Sequence, residues 1–405
     1  MSANVRTQPR TGELPVASPR VQVRALSIFF LVVLLDGLDT TSISFVAPAI
    51  GDAWGLAAAA FTPAFVATSV GAVIGYMASG PLARRIGQRA VGTTSVALFG
   101  IVTLLTISAS DVASLSLLRL VAAVGLGGAL PIAITASAGV VSPDRRTTAA
   151  MLAGTGFAAG SVVGGILGGP LIGRFGWQAV FIVGGALPLL LLPAFAHSLA
   201  TQEEPAQPGG TNPVVALFRY GLGVRTVLLW SSAFLVFLVA YGLAFWIPTL
   251  LTEVGFSTVQ APLGAAAFGL GGLVGSVLIV GFTRRLGVGY VLILASAFAI
   301  LCLVLLGWFA TSPALVLPLV FGTGAGLIGS SIGQSAVAIS LYSPGLRATG
   351  VGWAAAAGRI GSIIGPALGG TMLSLGLPAR DIALAAAVPA AAAVLVLAGL
   401  VFVDR

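Results

Sequence analysis

The stretch ALSIFFLVVLLDGLDTTSISFVAPAI, residues 25–50, decides the fold class. As a helix rising about 1.5 Å per residue it is long enough to cross a hydrocarbon layer about 30 Å thick. It is too long for the apolar core of a signal peptide, carries two aspartates and lacks a persuasive cleavage site, so it is expected to stay as a spanning helix. Asp36 and Asp39 lie three residues apart, which puts both on one face near mid-membrane. A carboxylate there must face something polar.

Working outward from this stretch, similar apolar segments recur near 59–82, 90–109, 113–141, 148–173, 177–196, 226–251, 260–283, 289–310, 312–341, 349–375 and 381–402. That makes twelve spans and predicts an all-α membrane protein. Composition agrees: 58% of the 405 residues are hydrophobic and 7% are charged, where soluble domains carry roughly 25% charged residues. Residues 1–24 are polar and rich in proline, without apolar periodicity, and read as a disordered tail. The stretch 197–225, with Glu203, Glu204 and a Gly209-Gly210 pair, reads as a linker between two six-helix halves, 25–196 and 226–405.

The halves repeat. A shift of 201 positions aligns Ser142, Arg146, Thr148, Gly160, Ser161, Gly164 and Gly168 with Ser343, Arg347, Thr349, Gly361, Ser362, Gly365 and Gly369. A shift of 200 aligns Arg84-Arg85-Ile86-Gly87 with Arg284-Arg285-Leu286-Gly287. Pseudo-symmetric halves of this kind place a substrate site at their interface near the bilayer midplane, the architecture of a secondary transporter.

All 19 basic residues are arginines. Without lysine there is no phosphate-binding P-loop and no pyridoxal Schiff base. One cysteine, Cys302, and one histidine, His197, cannot build a metal cluster. The chain is therefore not expected to be an enzyme, to hold a cofactor or metal, or to bind nucleic acid despite its net charge of +8. Instead, 15 of the 19 arginines fall on one side of the twelve-span layout: in the tail, at Arg84, Arg85 and Arg89, at Arg145 and Arg146, and in the later links on that side. By the positive-inside rule that side is cytoplasmic and holds both termini.

Within the spans the candidates are few. Two close carboxylates in a low dielectric disfavour double ionisation, so Asp36 and Asp39 are expected to carry a proton between them, as proton coupling requires; a permanent pairing with arginine is the competing reading. Arg359 and Arg119 lie at matching depths in the eleventh and fourth spans. A buried guanidinium suits a carboxylate ligand, so Arg359 is expected to bind an anionic substrate, while Arg119 pairs with the aspartates, gates, or joins the binding site. Tyr241, Phe245, Trp246 and Trp353 are candidates for an aromatic pocket, with Gln334 as a hydrogen bonder. Glycines four apart in the fifth and eleventh spans allow close helix approach.

The link Gly80-Pro81-Leu82-Ala83-Arg84-Arg85-Ile86-Gly87-Gln88-Arg89 and the twelve-span layout resemble the major facilitator superfamily. Within it, Asp36-Gly37-Leu38-Asp39-Thr40, Phe45-Val46-Ala47-Pro48-Ala49, Arg347-Ala348-Thr349-Gly350-Val351-Gly352-Trp353 and Gly358-Arg359-Ile360-Gly361 are similar to the aromatic acid/proton symporter family. The resemblance implies the major facilitator fold, protons as coupling ion, and uptake of benzoate-like acids across a bacterial inner membrane by a monomer. It further implies coupling at Asp36 and Asp39, carboxylate binding at Arg359, a transport role for Arg119, and gating by Gly80, Arg84, Arg85, Gly87 and Arg89. The family's link has an aspartate where this chain has Arg84. A drug or metabolite antiporter of the same fold is the alternative, and a membrane sensor that kept the fold is a further one.

Overall fold

The structure, a computed structural model, describes residues 19–142, 145–200, 214–219, 221–309, 313–343 and 346–403. Twelve long helices run through them, and no strand occurs among the described residues. The first six are α1 (Pro19–Trp54), α2 (Thr62–Ile86), α3 (Gln88–Leu105), α4 (Val112–Gly139), α5 (Arg146–Phe175) and α6 (Gln178–Ala200). The second six are α7 (Gly223–Glu253), α8 (Pro262–Leu286), α9 (Val288–Phe309), α10 (Pro313–Leu341), α11 (Arg347–Ser374) and α12 (Ala379–Val403). Most are apolar around the whole circumference, as helices bathed in lipid on one side and packed on the other must be.

Eleven of these helices are apolar enough to cross a membrane by composition alone. The exception is α11, whose seven glycines between Gly350 and Gly370 and central Arg359 dilute its hydropathy. Helix α1 is already helical at Pro19, inside the stretch expected to be a disordered tail, because hydropathy marks the lipid-buried length and not the helix end. Residues 1–18 and 201–213 of the expected tail and linker lie outside the described residues. The end of that linker is packed: Leu217 is fully buried, its carbonyl accepts a 2.7 Å bond from Thr226 Oγ1, and Tyr342 Oη donates to Thr226 Oγ1 at 3.0 Å.

The internal repeat is visible in the backbone. Gly87 and Gly287 close α2 and α8 with the same conformation, φ 87° with ψ 150° and φ 81° with ψ 149°, each donating its N–H back into the preceding turn. A side chain there would force L-residues into a region they avoid. Helix pairing repeats too: α1 packs on α5 and α2 on α4, while α7 packs on α11 and α8 on α10. Glycines set these distances. A Cβ at Gly160 of α5 would collide with the Leu34 carbonyl of α1, and one at its counterpart Gly361 would collide with the Phe234 carbonyl of α7. Gly160→Ala is accordingly expected to destabilise by about 1–3 kcal/mol through overpacking. Gly281→Ala, with nothing within 4 Å of the new carbon, should leave the detergent melting midpoint unchanged or raised.

An apolar seal joins the two halves at one end. At the end away from the arginine-rich links, one apolar cluster joins both: Ile43, Phe45, Phe61 and Phe65 pack with Phe245, Trp246 and Leu250. There Phe65 stacks on Phe245 at 5.2 Å and lies edge-on to Trp246 at 4.7 Å. Also there, Gly165 and Gly169 of α5 are pressed against Pro262, Ala266 and Val259, and Ser161 Oγ donates to the Ala265 carbonyl at 3.2 Å. At the arginine-rich end, by contrast, the buried clusters are separate, one built from α1, α3, α4, α5 and α6 and the other from the second half and the linker turn. Gly80, Arg84, Arg85, Gly87 and Arg89 are all exposed at that end. An apolar seal thus joins the halves at one face, and among the described residues no buried apolar cluster joins them at the other.

Candidate functional site

A cavity of about 270 Å³ lies between the halves, walled by α1, α2, α4 and α5 on one side and α7, α8, α10 and α11 on the other. Its chemistry is concentrated in two groups. Asp36 lines it from α1, with Thr40 Oγ1 donating to its Oδ1 at 3.1 Å. Arg359 lines it from α11, held between two tyrosines: its Cζ lies 4.8 Å from the Tyr76 ring centroid and 5.9 Å from that of Tyr241. Its Nη1 donates to Tyr241 Oη at 3.1 Å.

This arrangement follows from local sequence. Tyr76 lies on α2 and Tyr241 on α7, so each half contributes one ring to the same guanidinium. The cation is compensated by ring faces and one phenol oxygen, and no ion pair joins it to Asp36, although the two interact electrostatically across the cavity. Most of the fork's donors therefore remain available to a planar anion. Phe237 stacks on Tyr241 at 5.7 Å with an interplanar angle of 16° and, together with Phe245, adds an aromatic surface to the second-half wall.

Asp39 does not share this cavity, contrary to the expectation of a single carboxylate pair. Three residues on a helix turn the side chain through about 300°, leaving a 60° offset, and here that offset sends Asp39 toward α3 and α4. Arg119 Nη2 lies 2.8 Å from Asp39 Oδ2 and 3.1 Å from its backbone carbonyl, Nη1 lies 3.3 Å from Oδ1, and Thr103 Oγ1 donates to Oδ1 at 3.0 Å. Both members of this pair are 0% exposed. Arg119 also lies 5.6 Å from the Phe181 ring centroid. The geometry pairs Arg119 with Asp39 and leaves it outside the cavity lining in this conformation.

Three further candidates for binding also lie outside the cavity wall. Trp246 belongs to the sealed end, its Nε1 bonded to the Pro366 carbonyl at 2.9 Å. Gln334 is buried on α10, its Oε1 accepting from Ser232 Oγ at 2.9 Å. Trp353 stacks on Trp230 at 5.4 Å near the arginine-rich end of α11. Of the expected pocket residues the structure brings together Asp36, Arg359, Tyr241 and Phe245. It adds Tyr76, Thr40 and Ser69, which sequence reasoning missed; a tyrosine in the middle of an apolar span was the available signal for the first.

Residues 29–366 match the family model of the Major Facilitator Superfamily. The chain is 34% identical over 386 residues to a gallate transporter of Pseudomonas putida, covering 87% of this chain and 86% of that one. It is 31% identical over 410 residues to the 4-hydroxybenzoate transporter PcaK of Pseudomonas aeruginosa, covering 92% of this chain and 91% of the relative. Among solved structures, the nucleoside transporter NupG superposes with a TM-score of 0.78 at 16% identity, over 94% of this chain and 99% of that one, a likeness of fold. The chain belongs to the major facilitator superfamily, a group of membrane transporters and not of enzymes.

Proposed function

We propose that this protein imports small aromatic carboxylates across a bacterial cytoplasmic membrane together with protons, acting as a monomer with both termini in the cytoplasm. The observation that carries the proposal is Arg359, a guanidinium clamped between Tyr76 and Tyr241 in the same cavity as Asp36. A carboxylate docks on the open donors of Arg359 while its ring lies against Phe237, Tyr241 and Phe245. The relatives named for gallate and 4-hydroxybenzoate transport support that ligand class.

Coupling follows from charge balance. Ionised Asp36 is the counter-charge across the cavity from Arg359, so an incoming carboxylate competes with it for one cation. Binding of substrate therefore favours protonated Asp36, and protonation favours substrate by the same factor. With the arginine-rich face in the cytoplasm, the end that lacks a shared apolar cluster is the inward-opening side. Uptake requires the seal of Phe65, Phe245 and Trp246 to open in turn, with loaded and empty states biasing that equilibrium through their differential affinity. The exposed Arg84, Arg85 and Arg89 lie where the cytoplasmic gate closes in the outward-facing state.

The test is accumulation of radiolabelled benzoate, 4-hydroxybenzoate and gallate in proteoliposomes under an imposed inward proton gradient. Gradient-dependent accumulation of at least one of them is expected; exclusion of all three would refute the proposed import. Asp36→Asn, which holds the position neutral, is expected to retain measurable substrate exchange but lose accumulation above equilibrium. If Asp36→Asn still concentrates substrate in response to the gradient, the coupling site lies elsewhere.

A further inference from the structure

Four buried side-chain polar atoms have no hydrogen-bond partner among the described residues: Ser69 Oγ, Arg119 Nε, Trp230 Nε1 and Gln334 Nε2. Of these four residues only Ser69 lines the central cavity. Its neighbour Thr68 bonds back to the Ala64 carbonyl at 2.8 Å, and on the facing wall Ser276 and Ser331 bond back to Gly272 and Ile328 at 2.6 and 2.7 Å. That back-bonding is the usual resolution for a hydroxyl within a helix. The Ser69 hydroxyl, 95% buried by residue exposure, does not adopt it. A buried hydroxyl without a partner is costly to keep, which is tolerable where a ligand supplies the partner.

Its place relative to the cation defines that partner. Ser69 and Tyr76 are seven residues apart on α2, two turns along one face and about 10 Å along the axis. Tyr76 is one jaw of the clamp on Arg359. One turn beyond Ser69, Phe65 stacks on Phe245, itself part of the cavity wall. An aromatic carboxylate held at Arg359 and lying along α2 would thus direct the far end of its ring at Ser69.

We infer that Ser69 hydrogen-bonds a ring hydroxyl at the end of the substrate remote from its carboxylate, so that the protein selects hydroxylated aromatic carboxylates over unsubstituted benzoate. This rests on the proposed import of aromatic carboxylates. A site built to pair a substrate hydroxyl discriminates against the analogue lacking it, because a buried group of the site is then left unpaired.

The experiment measures kcat/KM for benzoate, 3-hydroxybenzoate and 4-hydroxybenzoate in proteoliposomes of the full chain and of Ser69→Ala, with a detergent melt of each. The full chain is expected to prefer one hydroxylated acid over benzoate by about tenfold, and Ser69→Ala to lose most of that preference. On the unaltered protein, 4-methylbenzoate or 3-methylbenzoate, matching the preferred compound in size without its hydroxyl, is expected to compete about tenfold worse; this arm stands even if Ser69→Ala does not fold. An unchanged preference ratio in folded Ser69→Ala, or equal competition by the methyl analogue, overturns the role of Ser69 and leaves the proposed import intact. Failure of the unaltered protein to take up any of the acids overturns both.

Discussion

Arg119→Ala is expected to lower stability by about 3–5 kcal/mol, read as a large fall in the detergent melting midpoint. The reason is the Asp39 carboxylate, fully buried and holding two charged contacts from Arg119 beside the single neutral bond from Thr103. Removing one member of a buried pair leaves the other charge uncompensated, whereas replacing both by apolar groups of similar volume removes the desolvation cost as well. Arg119→Leu combined with Asp39→Leu should therefore melt closer to the unaltered protein than Arg119→Ala does. A midpoint unmoved by Arg119→Ala, with a rise in KM alone, would make Arg119 a ligand-binding group and contradict the packing found here.

Arg359→Ala is expected to act in the opposite way, with little change in melting and a loss of about 100-fold or more in kcat/KM for uptake. Arg359 contributes one side-chain hydrogen bond, to Tyr241, and two ring contacts to the fold, so few structural interactions depend on it. Truncating one partner of a desolvated charge pair with the ligand costs roughly 2–5 kcal/mol, and each 1.4 kcal/mol is tenfold. Arg359→Lys keeps the charge but loses the planar fork and its stacking between the tyrosines, and is expected to recover only part of the loss. Uptake within about threefold of the unaltered protein in Arg359→Ala would remove the substrate carboxylate from this position.

The contrast between these two arginines shows what could be read from the chain and what could not. Apolar segments in the sequence coincide with all twelve helices because a lipid-facing helix must be largely apolar whatever it packs against, and the glycine positions shared by α5 and α11 exposed the repeat. The span at 349–375 is the weakest of the twelve, since the glycines and Arg359 of α11 dilute its hydropathy. The intramembrane charges stood out because each is costly without a partner. Which partner each takes depends on the rotation of α1. Asp36 and Asp39 differ by 60° around the helix, and only the positions of α3, α4 and α11 send one to Arg119 and the other to the cavity.

Aromatic residues were harder to assign, because an apolar ring satisfies a seal, a helix contact or a pocket equally well. Trp246 seals the closed end, Trp353 stacks on Trp230, and Tyr241 meets Arg359, yet all three sit in similar apolar sequence. Gln334 resembles a pocket residue in sequence and is turned toward Ser232 by the packing of α10 on α7. Ser69 was invisible for another reason. Most serines and threonines in these helices bond their own backbone, and only the three-dimensional arrangement reveals one that does not.

The central claim is that a proton at Asp36 and a carboxylate at Arg359 move together. The most direct measurement traps a pH-sensitive dye inside proteoliposomes with no imposed gradient, adds 4-hydroxybenzoate outside at neutral pH, and follows luminal pH and labelled substrate simultaneously. Symport predicts that the lumen acidifies as label enters, faster than in vesicles carrying Arg359→Ala or no protein. Label entering with no acidification beyond those controls, or a lumen that turns alkaline, would contradict it.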